Sequence, residues 1–334
     1  TLKNFQFCHQ AAQPGALTGP RGNMGQCHLV PLGGYSLLES NYDVNYLIRA
    51  HADDHVGAGS FGEVRRCTHR ETRESRCVKS IPKNDWWTRG HVLEEIELLE
   101  MLLKKHSNIV EFFEFYEEWD YLHLIFEFCP LGSLEQVVHS SNFQAGGERL
   151  IAKLLCQAAS ALDFLKDCAV VHRDVKPGNL LFAQPEVMKL ADFGCATLAP
   201  ESITLEEPMG TPGFWAPEVH QRPRGKGYSF PVDIWALGIC FYFMLYPGVH
   251  PFLEKGVLKR RNMQSGDFEA GWFTSWSAKD LLEWMLMPHP GQRILPNEIP
   301  EHRWCSSFGH GKGTFSRSIR RKLILDSHGN WASI

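Results

Sequence analysis

The sequence predicts an α+β architecture, and three observations carry it. Strand-like stretches gather before about residue 128, of which 121–128 (YLHLIFEF) is the clearest. Helical periodicity takes over beyond residue 132, where 149–166 sets Leu150, Leu154, Leu155, Ala158, Leu162 and Leu165 on one side. Between the two lies a turn-forming passage, Cys129-Pro130-Leu131-Gly132. A chain of 334 residues with 43% apolar content supports one or two domains around a large core.

Composition narrows the function classes. A net charge of −4 gives no sign of nucleic-acid binding, which calls for a basic face or stripe. The ten cysteines are scattered without a C-x-x-C spacing, so neither a disulfide framework nor a zinc ribbon is indicated. A reducing, cytoplasmic compartment is the expectation. The longest apolar run, 234–246, is too short to span a bilayer and reads as a buried helix.

In chain order, 1–45 is rich in Gly, Gln and Pro, lacks sustained periodicity, and reads as a poorly ordered leader. Its pairs Cys8-His9 and Cys27-His28 read as incidental, because adjacent residues seldom converge on one metal. If translation began at Met24, Gly25 and Cys27 would suit dual lipidation, and only then is a membrane partner expected. Leu29 stands where that signal prefers Ser or Thr.

Residues 55–64 (HVGAGSFGEV) place Gly57, Gly59 and Gly62 in G-x-G-x-x-G-x-V spacing. A strand–turn–strand pattern follows over 63–77, which favours a β-hairpin lid with backbone N–H groups over phosphates and disfavours a strand-to-helix turn. Residues 89–105 read as a helix with Val92, Ile96, Leu99 and Leu103 on its inner face. The loop 170–182 (VVHRDVKPGNLLF) sets Asp174 five residues before Asn179 with Lys176 between them. Such a loop can hold a carboxylate against a substrate hydroxyl while its Lys and Asn face phosphate oxygens and a metal. Beyond it come Asp192-Phe193-Gly194, the nonapeptide GTPGFWAPE over 210–218, and Asp233-Ile234-Trp235-Ala236-Leu237-Gly238.

Together these motifs resemble the eukaryotic protein kinases over residues 46–305. The resemblance implies a bilobal fold, with an antiparallel-sheet N-lobe plus one helix over 46–128 and a mainly helical C-lobe over 132–305. It implies ATP and Mg²⁺ as cofactors and Ser/Thr-containing proteins as substrates. Asp174 is then the catalytic base, Lys176 stabilises the moving phosphoryl, and Asn179 and Asp192 hold the metal. Lys79, braced by Glu95 in preference to Glu94, orients the α/β-phosphates. Val56, Gly57, Ala58, Gly59, Ser60, Phe61, Gly62 and Val64 cover the nucleotide, with Cys77 where the family carries Ala. Phe126 is the gatekeeper, Glu127 and Cys129 offer backbone groups to adenine, and Leu181 lines the same site. Arg293 pairs with Glu218. Lys176 and Thr211 resemble Ser/Thr rather than Tyr kinases. VKSIPK over 78–83, the activation segment 192–218 and the run 276–304 resemble the calcium/calmodulin-dependent group, calcium-dependent protein kinases above all.

Departures from that pattern carry their own expectations. No D-x-D-x-D-G loop follows the domain, so direct calcium control is not implied. The basic tail 306–334 sets Phe315, Ile319 and Leu323 four apart among basic residues, and 315–325 reads as either a solvated tail or an autoinhibitory or calmodulin-type helix. Ser133 and Gly178 stand where basophilic relatives carry acids, which implies a weak preference for upstream Arg, with Glu135 close by. Glu206 and Glu207 are expected to neutralise Arg173 in place of a phosphate, leaving Ser202 and Thr204 as optional sites. The alternative function is a pseudokinase scaffold of the same fold.

Overall fold

Period-2 alternation builds the first half of the structure. In the computed structural model, the described residues are 45–47, 55–58, 62–83, 86–103, 105–200, 203–221, 227–271, 274–311, 323–325 and 331–333. The expected leader up to 44, Gly59, Ser60, Phe61, Ser202 and residues 312–322 of the tail lie outside them.

Six strands form one antiparallel sheet: β1 (Tyr46–Leu47), β2 (His55–Ala58), β3 (Glu63–His69), β4 (Ser75–Pro82), β5 (Phe112–Glu117) and β6 (Tyr121–Glu127). The order is β1-β3-β4-β6-β5, with β2 also paired to β3. Because side chains alternate along a strand, Cys77, Lys79 and Ile81 share one face of β4 and meet Phe126, Leu124 and Leu122 of β6 in register. That face packs on the helix α1 (Trp86–Met101) through Val92, Ile96 and Leu99. The opposite face closes a separate small core of Tyr46, Cys67, Val78, Tyr116 and Ile125. The helix ends four residues before the sequence predicts. Its last turn tightens, with Leu103 N–H bonding the Glu100 carbonyl at 3.3 Å.

The glycine-rich segment pairs back on itself as a hairpin, with Gly57 opposite Val64 and Ala58 opposite Glu63. Gly62 admits no side chain, since a Cβ there would stand 2.3 Å from the Ser80 carbonyl oxygen.

The second half is helical. α2 (Gly147–Asp167) buries Leu154, Leu155, Ala158, Leu162 and Leu165 on one stripe, as its periodicity predicts. α3 (Pro231–Leu245) is apolar on all sides and buried along almost its whole length, so it lies inside the lobe, packed on α2 and on α4 (Trp276–Met285). No helix among the described residues is long and apolar enough to cross a membrane.

Arg293 is fully buried and makes a bidentate pair with Glu218, at 2.8 Å and 3.0 Å. It also donates to the carbonyls of Met287, Pro288 and Pro231, and its guanidinium lies over the Trp235 ring at 5.3 Å. One side chain thereby ties the end of the 210–218 motif to the start of α3.

Of the segment 315–325, read as a solvated tail or a helix, residues 315–322 lie outside the described residues. Leu323–Leu325 is a strand paired antiparallel with Trp331–Ser333. The run Leu-Ile-Leu has no helical period, and the DSHGN sequence after it is rich in turn formers.

Glu218→Ala leaves a buried guanidinium without its carboxylate. The variant is expected to lose about 3 kcal/mol of stability, read as a melting temperature several degrees lower. An unchanged melting temperature would remove this pair from the account of the fold.

Candidate active site

Local backbone geometry sets the loop at 172–179. The strand Val170–Val171 pairs with Thr197–Leu198 and delivers His172, which is fully buried. Burial lowers the His172 pKa, so the neutral ring donates from Nε2 to the Ala191 carbonyl (3.2 Å) and accepts the Asp174 N–H at Nδ1 (3.3 Å). The ring meets Phe193 edge-on, 4.9 Å between centroids. Arg173 adopts a left-handed φ of 65°, unusual for a residue with a Cβ. The Asp233 carboxylate, reaching up from the first turn of α3, secures this bend by accepting the N–H groups of His172 (2.8 Å) and Arg173 (2.9 Å). Burial pushes Asp233 up to about 7, opposed by those two bonds.

Asp174 is the hub of a hydrogen-bonded net. Its Oδ1 accepts from the backbone N–H and hydroxyl of Thr211 (2.8 and 2.7 Å), and its Oδ2 from Lys176 Nζ (2.6 Å) and Asn179 Nδ2 (3.1 Å). Lys176 also bonds the Thr211 hydroxyl at 3.0 Å. Gly210, at φ 84°, lets the chain pass this close, since a Cβ there would meet the Arg173 carbonyl oxygen at 2.2 Å.

A second charge centre faces the sheet. Lys79 Nζ lies 2.9 Å from Glu95 Oε1 and 3.0 Å from Asp192 Oδ1. Burial alone would lower the lysine, but the two carboxylates outweigh it and hold the ammonium above its ordinary range. Glu94, the other acid weighed for this role, is exposed and near His91 instead. Asp192 itself adopts a left-handed φ of 62°. Lys79 and Asp174 are both enclosed, at 4% and 3% exposure. Removing the Lys79 charge therefore orphans Glu95 and carries a stability penalty as well.

Ala191, next to Asp192 in the chain, joins Val110 and Cys129 in a small apolar layer, with Phe126, Leu181 and Ala183 packed on it. Cys77 faces it from β4, opposite Phe126, and the half-buried Val64 is paired with Lys79 on the neighbouring strand. The Cys129 N–H makes no hydrogen bond among the described residues, while its carbonyl accepts from Gly132 at 3.3 Å. The Glu127 side chain turns away to Lys189 (2.6 Å), which leaves its backbone as the part nearest the layer. Val56, Gly57 and Ala58 are placed by backbone only, on β2. Val110, Ala191 and Asp233 were not singled out as site residues, since no local motif marks a slot floor or an anchor 59 residues beyond Asp174. Arg173 donates to the Cys195 carbonyl, while Glu206 and Glu207 are exposed and do not pair with it.

Residues 50–305 match the family model described as "Protein kinase domain", and the chain belongs to that family. It is 32% identical over 261 residues to calcium-dependent protein kinase 7 of Arabidopsis thaliana, covering 75% of this chain and 47% of that one. It is 33% identical over 288 residues to serine/threonine-protein kinase DCLK3 of Mus musculus, covering 82% and 34%. Against ribosomal protein S6 kinase alpha-1 of Homo sapiens it is 32% identical over 304 residues, covering 86% and 39%. The chain therefore spans about a third to a half of the length of these relatives.

Asp233→Ala orphans two backbone N–H groups beneath Asp174. It is expected to lower stability by about 2–4 kcal/mol, with Asp233→Asn, which keeps one acceptor, falling in between. Thermal denaturation of the pair checks this. Equal melting temperatures for the parent and the Ala variant would contradict the anchoring role.

Proposed function

We propose that this chain transfers the γ-phosphoryl group of ATP to Ser and Thr hydroxyls of protein substrates. The observation that carries the reading is the assembled pair of charge centres. Lys79 is held by Glu95 and Asp192, and Asp174 is held by Lys176, Asn179 and Thr211.

In this reading the apolar layer and Cys77 take the heterocycle, with Val56 and Val64 above and Leu181 below. The Cys129 N–H and the Glu127 backbone meet its edge. N–H groups of the glycine-rich hairpin and the Lys79 ammonium bind phosphate oxygens. Asn179 commits its Nδ2 to Asp174, so its Oδ1 is the atom left for a cation, and Asp192 is the second ligand. Two oxygen ligands completed by phosphates and water suit Mg²⁺, which supplies charge neutralisation when bound. Asp174 takes the proton of the acceptor hydroxyl. Lys176, 2.6 Å away, offsets charge at the same place. Thr211 fixes the rotamer of Asp174 and ties the 210–218 platform to it, so a peptide laid on that platform brings its hydroxyl to the base.

Asp174→Asn keeps the side chain's shape and one of its two acceptor oxygens but removes its charge and basicity. With ATP, Mg²⁺ and a mixed library of Ser, Thr and Tyr peptides, the parent is expected to label Ser and Thr peptides. The variant should be slower by roughly 10²–10⁴-fold at a similar melting temperature. A parent that binds nucleotide but transfers nothing would establish the scaffold alternative. A variant as fast as the parent would unseat Asp174.

A further inference from the structure

A meeting of two thiols far from the charge centres has no part in the transfer chemistry. The cysteines of the described residues are all free, so the fold forms without a disulfide there. Cys156 lies midway along α2 and is partly buried, while Cys305 is fully buried on the short helix Arg303–Ser307. The two helices pack on each other, and both thiols belong to one apolar core. Fixed partners hold that packing. Trp304 donates its indole N–H to Glu148, in the first turn of α2, at 2.8 Å. His302 and Arg303 both donate to Asp280 of α4, at 3.1 Å and 2.7 Å. The helix that carries Cys305 is thereby pinned to α2 and α4. The Cys156 thiol comes first, ahead of burial, among the influences that hold Cys305 above the ordinary thiol range. For Cys67, Cys77, Cys129, Cys195 and Cys240, burial comes first instead.

We propose that Cys156 and Cys305 form a site of reversible oxidative modification, at which hydrogen peroxide closes a disulfide between α2 and the helix Arg303–Ser307. Cys156 is the partner that solvent reaches. Its thiolate attacks one peroxide oxygen and the O–O bond breaks. Cys156 becomes a sulfenic acid, and the departing hydroxide takes up the thiol proton as water. The Cys305 sulfur then attacks the Cys156 sulfur and the S–O bond breaks. The hydroxyl leaves with the Cys305 proton as a second water. Two thiols have lost two electrons, and one peroxide has gained them. A dithiol reductant returns both electrons and reopens the bridge. Between the two cysteines the chain holds the loop 172–179, the segment 192–218 and α3. Closing the bridge therefore restrains the unfolded chain across the whole candidate site and stabilises the folded one.

The test treats the full, reduced chain with hydrogen peroxide, blocks the remaining thiols by alkylation and maps the digested peptides by mass. The expected result is a cross-link between the peptides that carry Cys156 and Cys305, lighter by two hydrogen atoms than their sum. The melting temperature should rise by several degrees, and dithiothreitol should reverse both changes. Cys156→Ser should abolish the cross-link and the rise. Cys168→Ser, at the other partly buried cysteine of the described residues, should abolish neither. In Cys305→Ala the sulfenic acid at Cys156 has no thiol to resolve it, so a dimedone probe should capture it in higher yield than from the parent. Equal capture from the two, a bridge from Cys156 to any other cysteine, or a parent that peroxide leaves unbridged overturns the proposal. None of these readouts involves phosphoryl transfer, so the function proposed above stands or falls separately.

Discussion

The structure depends on a single enclosed cation. Lys79 sits in the middle of β4 with its ammonium out of water, which is tolerable only because two carboxylates meet it. Those carboxylates come from different parts of the molecule. Glu95 belongs to α1, and Asp192 follows the strand Val187–Leu190. Satisfying one charge therefore fixes the helix against the sheet and the Asp192 turn against both.

The second centre is assembled on a different principle. Asp174 needs a defined rotamer, and four donors on three residues of two segments supply it. Behind it the strained Arg173 bend is held by Asp233, and Asp233 is held by a helix whose first turn is clamped by Arg293. Strain at Arg173, beside Asp174, is thus balanced by a deeply buried part of the lobe. Thr211 closes the arrangement from the platform side.

Much of this was legible in the chain because the chemistry requires particular residue types at particular spacings. Alternation in SRCVKSIP and YLHLIFE put Cys77, Lys79 and Phe126 on one face without further help. The Arg293–Glu218 pair followed from two motifs 75 residues apart. What stayed hidden depends on folding. Asp233 was visible only as part of a helix start, and nothing local says that its carboxylate reaches the N–H groups of His172 and Arg173. Val110 and Ala191 are ordinary apolar residues until the sheet and the loop meet. Counting charges brought Glu206 and Glu207 towards Arg173, whose guanidinium instead donates to the Cys195 carbonyl. In the tail, Leu323–Leu325 pairs as a strand, where the apolar run has no period to hold a helix face.

Steady-state kinetics of Glu95→Gln against the parent tests the central ion pair most directly. Glutamine keeps the size of the side chain and one acceptor but removes the charge that positions Lys79. The account requires kcat to fall about tenfold or more, with the peptide KM little changed, because in the proposed function this pair orients phosphate and not peptide. A variant that turns over at the parental kcat would contradict the claim that this buried cation organises the site.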